Sequence, residues 1–446
     1  MKKMVPACRD FALLLVFLFL IDDYKIKEGG CAVKEPSLFH NRNFTLLYLG
    51  QLVSLFGDWF RGVVMIVILY ELHPSAATVG GMFIATILPT LFGSIFVGPF
   101  VDRWNKKRIM IWSNLLRFVL TLMIVYGVYL QNIWLIYALI VASSLVSAAF
   151  QPARTAMVPE IVEEKQIIKA TSSFAILNSI TMVVASALGG FVADWVGPYP
   201  IMYFDAFSYL FAAVCIVLMR YHPQPTEVKV RPPYWQQVRE GYDYVRATPQ
   251  LVAVFWITAA RDFVLGYVYI LFAIFILEVV QTGNTGMGIG YSMTAVAYLI
   301  GAWLIKWYFK KKPFDESAFF KIFFPCHIIY GVGLGVMFSM TGWYWFLVAL
   351  VVTYIFSQGV NIIAETSLMT YSRADNRGRV VASWLTASRL AYAISLPLFS
   401  VIGVYIPTHI GGYILTGVCV ISALLVSPWL KAALGDRAKE KSTMHA

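Results

Sequence analysis

Gly98-Pro-Phe-Val-Asp102-Arg103-Trp104-Asn105-Lys106-Lys107-Arg108 is a short polar turn between two apolar runs, 78–97 and 109–130. Each run is long enough to cross a bilayer as a helix, which takes about 20 residues. The turn packs five charges: Asp102, Arg103, Lys106, Lys107 and Arg108. Gly98 has no side chain, so a neighbouring helix can come close there. Asp102 follows four residues later, about one helical turn, so the two share a face. The basic residues hold the turn at an anionic leaflet. Taken alone, they indicate a cytoplasmic loop and nothing more specific.

Outward from this turn the whole chain has the same character. It has 446 residues, 59% of them hydrophobic and 13% charged, and a mean hydropathy of +0.70. A soluble domain carries about 25% charge. Apolar runs long enough to span recur throughout, so the chain reads as an all-α integral membrane protein whose partner is the lipid bilayer. The net charge of +11 does not point to nucleic acid, because the basic residues lie in the inter-span loops. Cys8, Cys31, Cys215, Cys326 and Cys419 have no paired spacing, so neither a disulfide framework nor a metal site follows. No phosphate-binding Gly-x-x-x-x-Gly-Lys-Ser/Thr occurs, which argues against an ATPase. No cofactor is expected, and no nucleophile or metal constellation suggests an enzyme.

Twelve spans follow from hydropathy: 44–71, 78–101, 109–130, 133–156, 172–194, 199–220, 250–279, 287–309, 318–340, 343–370, 380–406 and 410–433. The connections near 72–77, 131–132, 195–198, 280–286, 341–342 and 407–409 contain no Lys or Arg. The alternate connections and both termini hold nearly all of them, which places both ends in the cytoplasm and the chain in the plasma membrane as a multi-pass protein. Residues 1–42 form an N-terminal extension. Its apolar run Phe11–Ile21 is too short to span and resembles a signal-peptide core without a cleavage site. The first six spans make a unit over 43–220 and the last six a unit over 250–435, with a tail at 436–446. Between the units lies a cytoplasmic linker, 221–249. It opens with His222-Pro223-Gln224-Pro225, includes Pro232-Pro233, and continues through Tyr234–Arg246, where Trp235, Val238, Tyr242 and Val245 recur at three- and four-residue spacing. That pattern predicts an amphipathic helix on the inner leaflet. A shorter interfacial helix is predicted at Pro159–Lys169.

The two units share features. Gly301, Lys306, Trp307, Lys310 and Lys311 parallel Gly98, Arg103, Trp104, Lys107 and Arg108, with Ile305 in place of the acid. Asp58 and Asp262 sit near mid-span in the first and seventh spans. Arg154 in span four and Glu365 in span ten lie at equivalent depth. Asn178 and Arg389 correspond in spans five and eleven.

Charges at membrane depth are costly, so each needs a reason. Gln51, Ser54, Asp58 and Arg61 fall on one face of span one. Asp58 serves there either as a proton-titrating carboxylate, with Trp59 beside a cavity, or as half of an internal Asp58–Arg61 pair that fixes packing. Arg261 and Asp262 point about 100° apart, so one of them is expected to pair with another helix. Gln358, Asn361 and Glu365 share a face of span ten. Arg154 and Glu365 form either a gate or a static pair. Arg117 lies close enough to the inner surface to snorkel. Trp59, Tyr267, Tyr269 and Tyr354 stand mid-span and suit a bulky apolar substrate.

Gly98-x-x-x-Asp102-Arg103-x-x-Lys106-Lys107 resembles the loop signature of the major facilitator superfamily, Gly-x-x-x-Asp-Arg/Lys-x-Gly-Arg/Lys-Arg/Lys. Asn105 replaces the second Gly, and Asn tolerates a left-handed backbone. The resemblance covers about residues 40–435. It implies twelve transmembrane helices in two parallel six-helix repeats around a central cavity, acting as a monomer. It also implies a conformational role for the loop, with Asp102 meeting spans four and eleven. Leu49–Trp59, Phe150–Glu160, Tyr234–Tyr242 and Arg377-Gly378-Arg379 are most similar to the branch of macrolide-type drug exporters and the enterobactin exporter. That resemblance implies efflux of small amphipathic molecules, drug resistance among the outcomes, with protons as the coupling ion. The antiporter signature Gly-Pro-x-x-Gly-Gly appears as Ala185-Ser186-Ala187-Leu188-Gly189-Gly190, keeping only the last two glycines. Import, lipid flipping and a non-transporting sensor or partner subunit remain alternatives on the same fold.

Overall fold

Asn41 starts the first long helix: its side-chain oxygen accepts from the backbone N–H of Asn43 at 3.0 Å and of Phe44 at 3.2 Å, which satisfies donors that a helix start leaves open. The computed structural model describes residues 38–101, 104–221, 234–310, 314–373 and 376–444, with 94–101, 234 and 436–444 described in backbone only. The Phe11–Ile21 run, Asp102, Arg103, the linker opening 222–233 and Lys311 lie outside the described residues, and Gly98 is described in backbone only.

Helix α1 is Arg42–Leu72, α2 Ala76–Val101, α3 Lys106–Tyr129, α4 Ile133–Ile161, α5 Ile167–Val196 and α6 Pro198–Val217. Helix α7, Tyr234–Arg246, is the linker helix. Then come α8 Pro249–Ile274, α9 Gly283–Phe309, α10 Phe324–Ser339, α11 Trp343–Tyr371, α12 Arg377–Ile402 and α13 Thr408–Met444. A π-helical stretch, Phe275–Val280, extends α8, and another, Phe319–Phe323, leads into α10. Among the described residues, twelve helices are long and apolar enough to cross a membrane, one for each span read from the sequence. The helical segment α13 runs on to Met444, well past the predicted end of its span.

Two expectations need correction. Asn105 is not left-handed: its φ is −65° and ψ 107°. It caps α3, accepting from the N–H of Arg108 at 3.2 Å, which gives a different reason for Asn at that position. The interfacial helix expected at Pro159–Lys169 is absent. Helix α4 continues through Pro159 to Ile161, a single 3-10 turn covers Glu164–Gln166, and α5 begins at Ile167.

Helix α1 packs on α5 and α6, α3 on α4 and α6, and α2 on α4. Six spans later, α8 packs on α12 and α13, α10 on α11 and α13, and α9 on α11. Helices α1–α6 meet α8–α13 chiefly through α5 on α9 and α2 on α12.

The apolar core is not uniform along the helices. At the end whose connections lack Lys and Arg, one cluster includes Leu69, Val79 and Ile136 together with Tyr267, Met287, Phe338, Phe346 and Phe399. It therefore runs through both sets of helices. At the basic end the core divides in two. Phe44, Met110, Met157, Phe174 and Ile216 belong to one cluster, and Leu251, Phe323, Ile363, Val380 and Leu430 to another. Inside a bilayer close packing between helices is the main cohesive term, so the two sets are joined at one end and parted at the other.

The basic turn is built into this end. Lys106 is buried and pairs with Glu160 near the end of α4, and Tyr221 donates to the same carboxylate. Burial, reinforced by Glu160, holds the Tyr221 hydroxyl well above the usual phenol range. The Lys107 ammonium donates to the carbonyls of Val217 at 2.9 Å and Met219 at 2.7 Å, completing the C-terminus of α6. Arg108 remains exposed.

Helix α7 has the predicted bounds and docks on α12. Its Val238 and Gly241 face α12: Ser383 donates to the Val238 carbonyl at 2.7 Å, and a Cβ on Gly241 would collide with the Arg379 carbonyl. Glu240 pairs with Arg379 at 3.0 Å, and Val245 is buried. Trp235 and Tyr242, which the periodicity puts on the same stripe, are exposed at 63% and 49%.

Candidate functional site

Helix α1 carries Gln51, Ser54, Asp58 and Arg61 toward protein, as their spacing requires: Gln51 and Ser54 are buried. Gly57 lets α6 come close. A Cβ there would meet Ser208 Oγ at 2.6 Å and Asp205 Oδ1 at 2.7 Å. Through that gap Asp205 reaches α1 and accepts from Arg61 Nε at 2.6 Å. Arg61 Nη2 lies farther from Asp58, at 3.4 Å.

Asp58 finds its nearer partners elsewhere. Arg117 of α3 donates to its Oδ1 at 2.8 Å, and the Tyr209 hydroxyl of α6 donates to the same oxygen at 2.5 Å. The Arg117 guanidinium stands 4.0 Å over the Tyr209 ring. Two carboxylates thus face two guanidiniums around one phenol, held by α1, α3 and α6. Asp205 is 0% exposed, whereas the Asp58 side chain keeps 29% of its surface open. Burying such a group is tolerable only when charges are paired.

This geometry revises the reading of Arg117, which is buried and paired rather than snorkelling. It also adds Asp205 and Tyr209, which sequence reasoning missed. Their signal is legible: a lone carboxylate within 199–220, with a tyrosine one turn later. The Asp58–Arg61 pair exists but is the loosest link of the cluster.

In the second half, Arg261 turns back on its own neighbour. Its Nε and Nη2 donate to Asp262 Oδ1 at 3.2 and 2.9 Å, and its Nη1 donates to Asn361 Oδ1 on α11 at 3.1 Å. Arg261 therefore bonds both its neighbour and another helix. Arg154 donates to Gln51 at 3.0 Å and lies 5.0 Å over the Phe174 ring. It is not in a static pair with Glu365, which is exposed on α11. Asn178 is exposed, and Gln358 and Arg389 are half-buried.

Aromatic rings fill the place where the two sets of helices meet. Trp59 of α1 lies 6.1 Å from Tyr291 of α9, and Phe83 of α2 lies 5.2 Å from Tyr269 of α8. Tyr269 in turn meets Tyr392 of α12 at 6.0 Å. Tyr269, Tyr291 and Tyr392 are set deep yet keep partly open faces. Tyr267 differs: it is fully buried and stacked on Phe399 at 4.1 Å. At the basic end, Ile305, Lys306, Phe309, Ile362 and Thr366 border a cavity of about 460 Å³ between α9 and α11.

Residues 47–322 match the family model of the Major Facilitator Superfamily. The chain belongs to this superfamily. It is a multi-pass membrane protein. A superfamily member of Bacillus subtilis, the uncharacterised transporter YvqJ, is 24% identical over 428 residues, 91% of this chain and 97% of that one. Macrolide efflux protein A of Streptococcus pyogenes is 22% identical over 58% of this chain and 64% of its own length. With some other curated relatives the match is shorter, spanning 53% and 42% of their length. Among solved structures, a bacterial homologue of the iron transporter ferroportin matches in its inward-facing state at a TM-score of 0.64, with 16% identity over 89% of this chain and 99% of that one. Its outward-facing state matches at 0.54.

Proposed function

We propose that this superfamily member exports small amphipathic molecules by alternating access and exchanges them for protons. It acts as a monomer in the plasma membrane with both termini cytoplasmic. The observation that carries this reading is the divided core, joined at the end without Lys and Arg and parted at the basic end. With the basic end inside, that is an inward-open state. The higher score against the inward-facing relative supports the assignment. The matching packing pairs six spans apart support two six-span repeats that rock against each other.

The aromatic rings at the junction supply flat apolar contact for the substrate, and the similarity to a macrolide efflux protein supports export. Asp58 is the proton site in this reading. Its three donors converge on Oδ1, and its side chain is the more open of the two carboxylates. A carboxylate whose guanidinium neighbours change between two states changes its hold on a proton. Asp262 and Glu365 are the second and third candidates. Arg154 leaves Gln51 for Glu365 as the inner mouth closes, making the gate.

Transport of a labelled macrolide in proteoliposomes with an imposed pH gradient tests this. Asp58→Asn should abolish accumulation driven by the gradient while exchange partly survives. A full response to the gradient in Asp58→Asn would move the proton site elsewhere, and indifference of the wild type would remove proton antiport.

A further inference from the structure

The joined end is held by a ladder between α5 and α9. Val183, Ser186, Gly190 and Asp194 follow at spacings of three and four, so they line one face of α5. Ser186 and Ser292 share a hydrogen bond of 2.9 Å, and Ser292 donates to the Val183 carbonyl at 2.5 Å. One rung further, Gly190 and Gly288 lie so close that a Cβ on Gly288 would sit 3.1 Å from the Gly190 Cα. These rungs are small or neutral, and they permit approach without directing it.

Asp194 is different. Its Oδ2 accepts from the Thr285 backbone N–H at 3.0 Å and from the Thr285 hydroxyl at 2.5 Å, and its Oδ1 accepts from the Asn284 amide at 3.0 Å. All three donors belong to the first turn of α9. Thr282, at the cap position, makes no side-chain cap bond of its own. Backbone of positive φ flanks it, at Gln281 (φ 55°) and at Gly283 (φ 54°), the first residue of α9. The carboxylate of one half thus caps a helix of the other, where its charge also meets the positive end of the helix dipole. Asp194 is exposed, so it returns to water at little cost when the contact opens.

We propose that Asp194 is the latch of the outer mouth: a positioning residue whose bond to α9 exists in the inward-open state, breaks in the outward-open one, and so sets the balance between them. This rests on the alternating-access reading. A contact made in only one state shifts the populations by its whole strength.

The test is a distance measurement by pulsed electron paramagnetic resonance in a Cys-less protein. Spin labels go on Gln131→Cys, in the α3–α4 turn, and Thr341→Cys, in the α10–α11 turn; both sites are exposed and at the joined end. Asp194→Ala should raise the ratio of long to short distances about tenfold. If that variant does not fold, Thr285→Val, which loses only the hydroxyl donor, should raise it about threefold. Gly288→Leu, a wedge in the same seam, serves as the control. A shift with Gly288→Leu and none with the latch variant overturns the latch and leaves alternating access standing. No shift with either overturns alternating access and the latch with it.

Discussion

Asp205 and Asp58 share two arginines and a tyrosine, yet their surroundings differ. Asp205 is 0% exposed and holds Arg61 at 2.6 Å, while Asp58 is partly open and its nearest guanidinium is at 2.8 Å. Arg61 keeps only 15% of its side chain exposed, and removing one member of such a buried pair strands the other and costs about 3–5 kcal/mol. Asp205→Asn is therefore expected to destabilise the folded transporter by about that much, and Asp58→Asn by about 1–2 kcal/mol, the cost of a lost charged hydrogen bond in a wetter place. Thermal unfolding of the two purified variants checks this, and equal losses would show that burial does not set the two carboxylates apart. Asp58 and Arg61 were legible in the sequence because they lie within one turn. Their real partners were not: Arg61 meets Asp205 across 144 residues and Asp58 meets Arg117 across 59. Helical periodicity says which face a residue occupies, but not which helix that face will meet.

Helix α7 is where element boundaries were read best and its surroundings least. Pro232-Pro233 before it and Pro249 after it punctuate the chain, so its bounds follow from local chemistry. Its docking on α12 does not, because hydrophobic spacing does not say which helix the stripe will meet. Gly241 decides it by having no Cβ against the Arg379 carbonyl. Gly241→Leu is expected to lift α7 off α12 and speed limited proteolysis within 221–249 several-fold, an effect read on a gel; unchanged cleavage would mean that Glu240–Arg379 and Val245 suffice to hold it. At the other basic connection, Asn105→Ala removes the cap of α3 and should cost about 1 kcal/mol in thermal unfolding. The same residue explains why the second glycine of the loop signature is dispensable here: the cap bond to Arg108 replaces the turn.

For the molecule as a whole, hydropathy gave twelve spans, since those depend on the membrane rather than on partners, and the placement of Lys and Arg predicts a direction. The state of the molecule was not legible, because opening at one end is a property of how the cores join. Orientation predicts opposite labelling of Gln131→Cys and Lys310→Cys, both exposed: in intact cells an impermeant thiol reagent should reach the first and not the second. The most direct test of the account is Glu365→Cys in a Cys-less protein, at an exposed site on α11 beyond the joined core. In the resting state it should react with an impermeant thiol reagent in inside-out vesicles and stay unreactive in intact cells. The Gly288→Leu wedge, which favours the other state, should slow that reaction. Reaction from the outside at the same rate as from the inside would contradict an inward-open, alternating-access transporter.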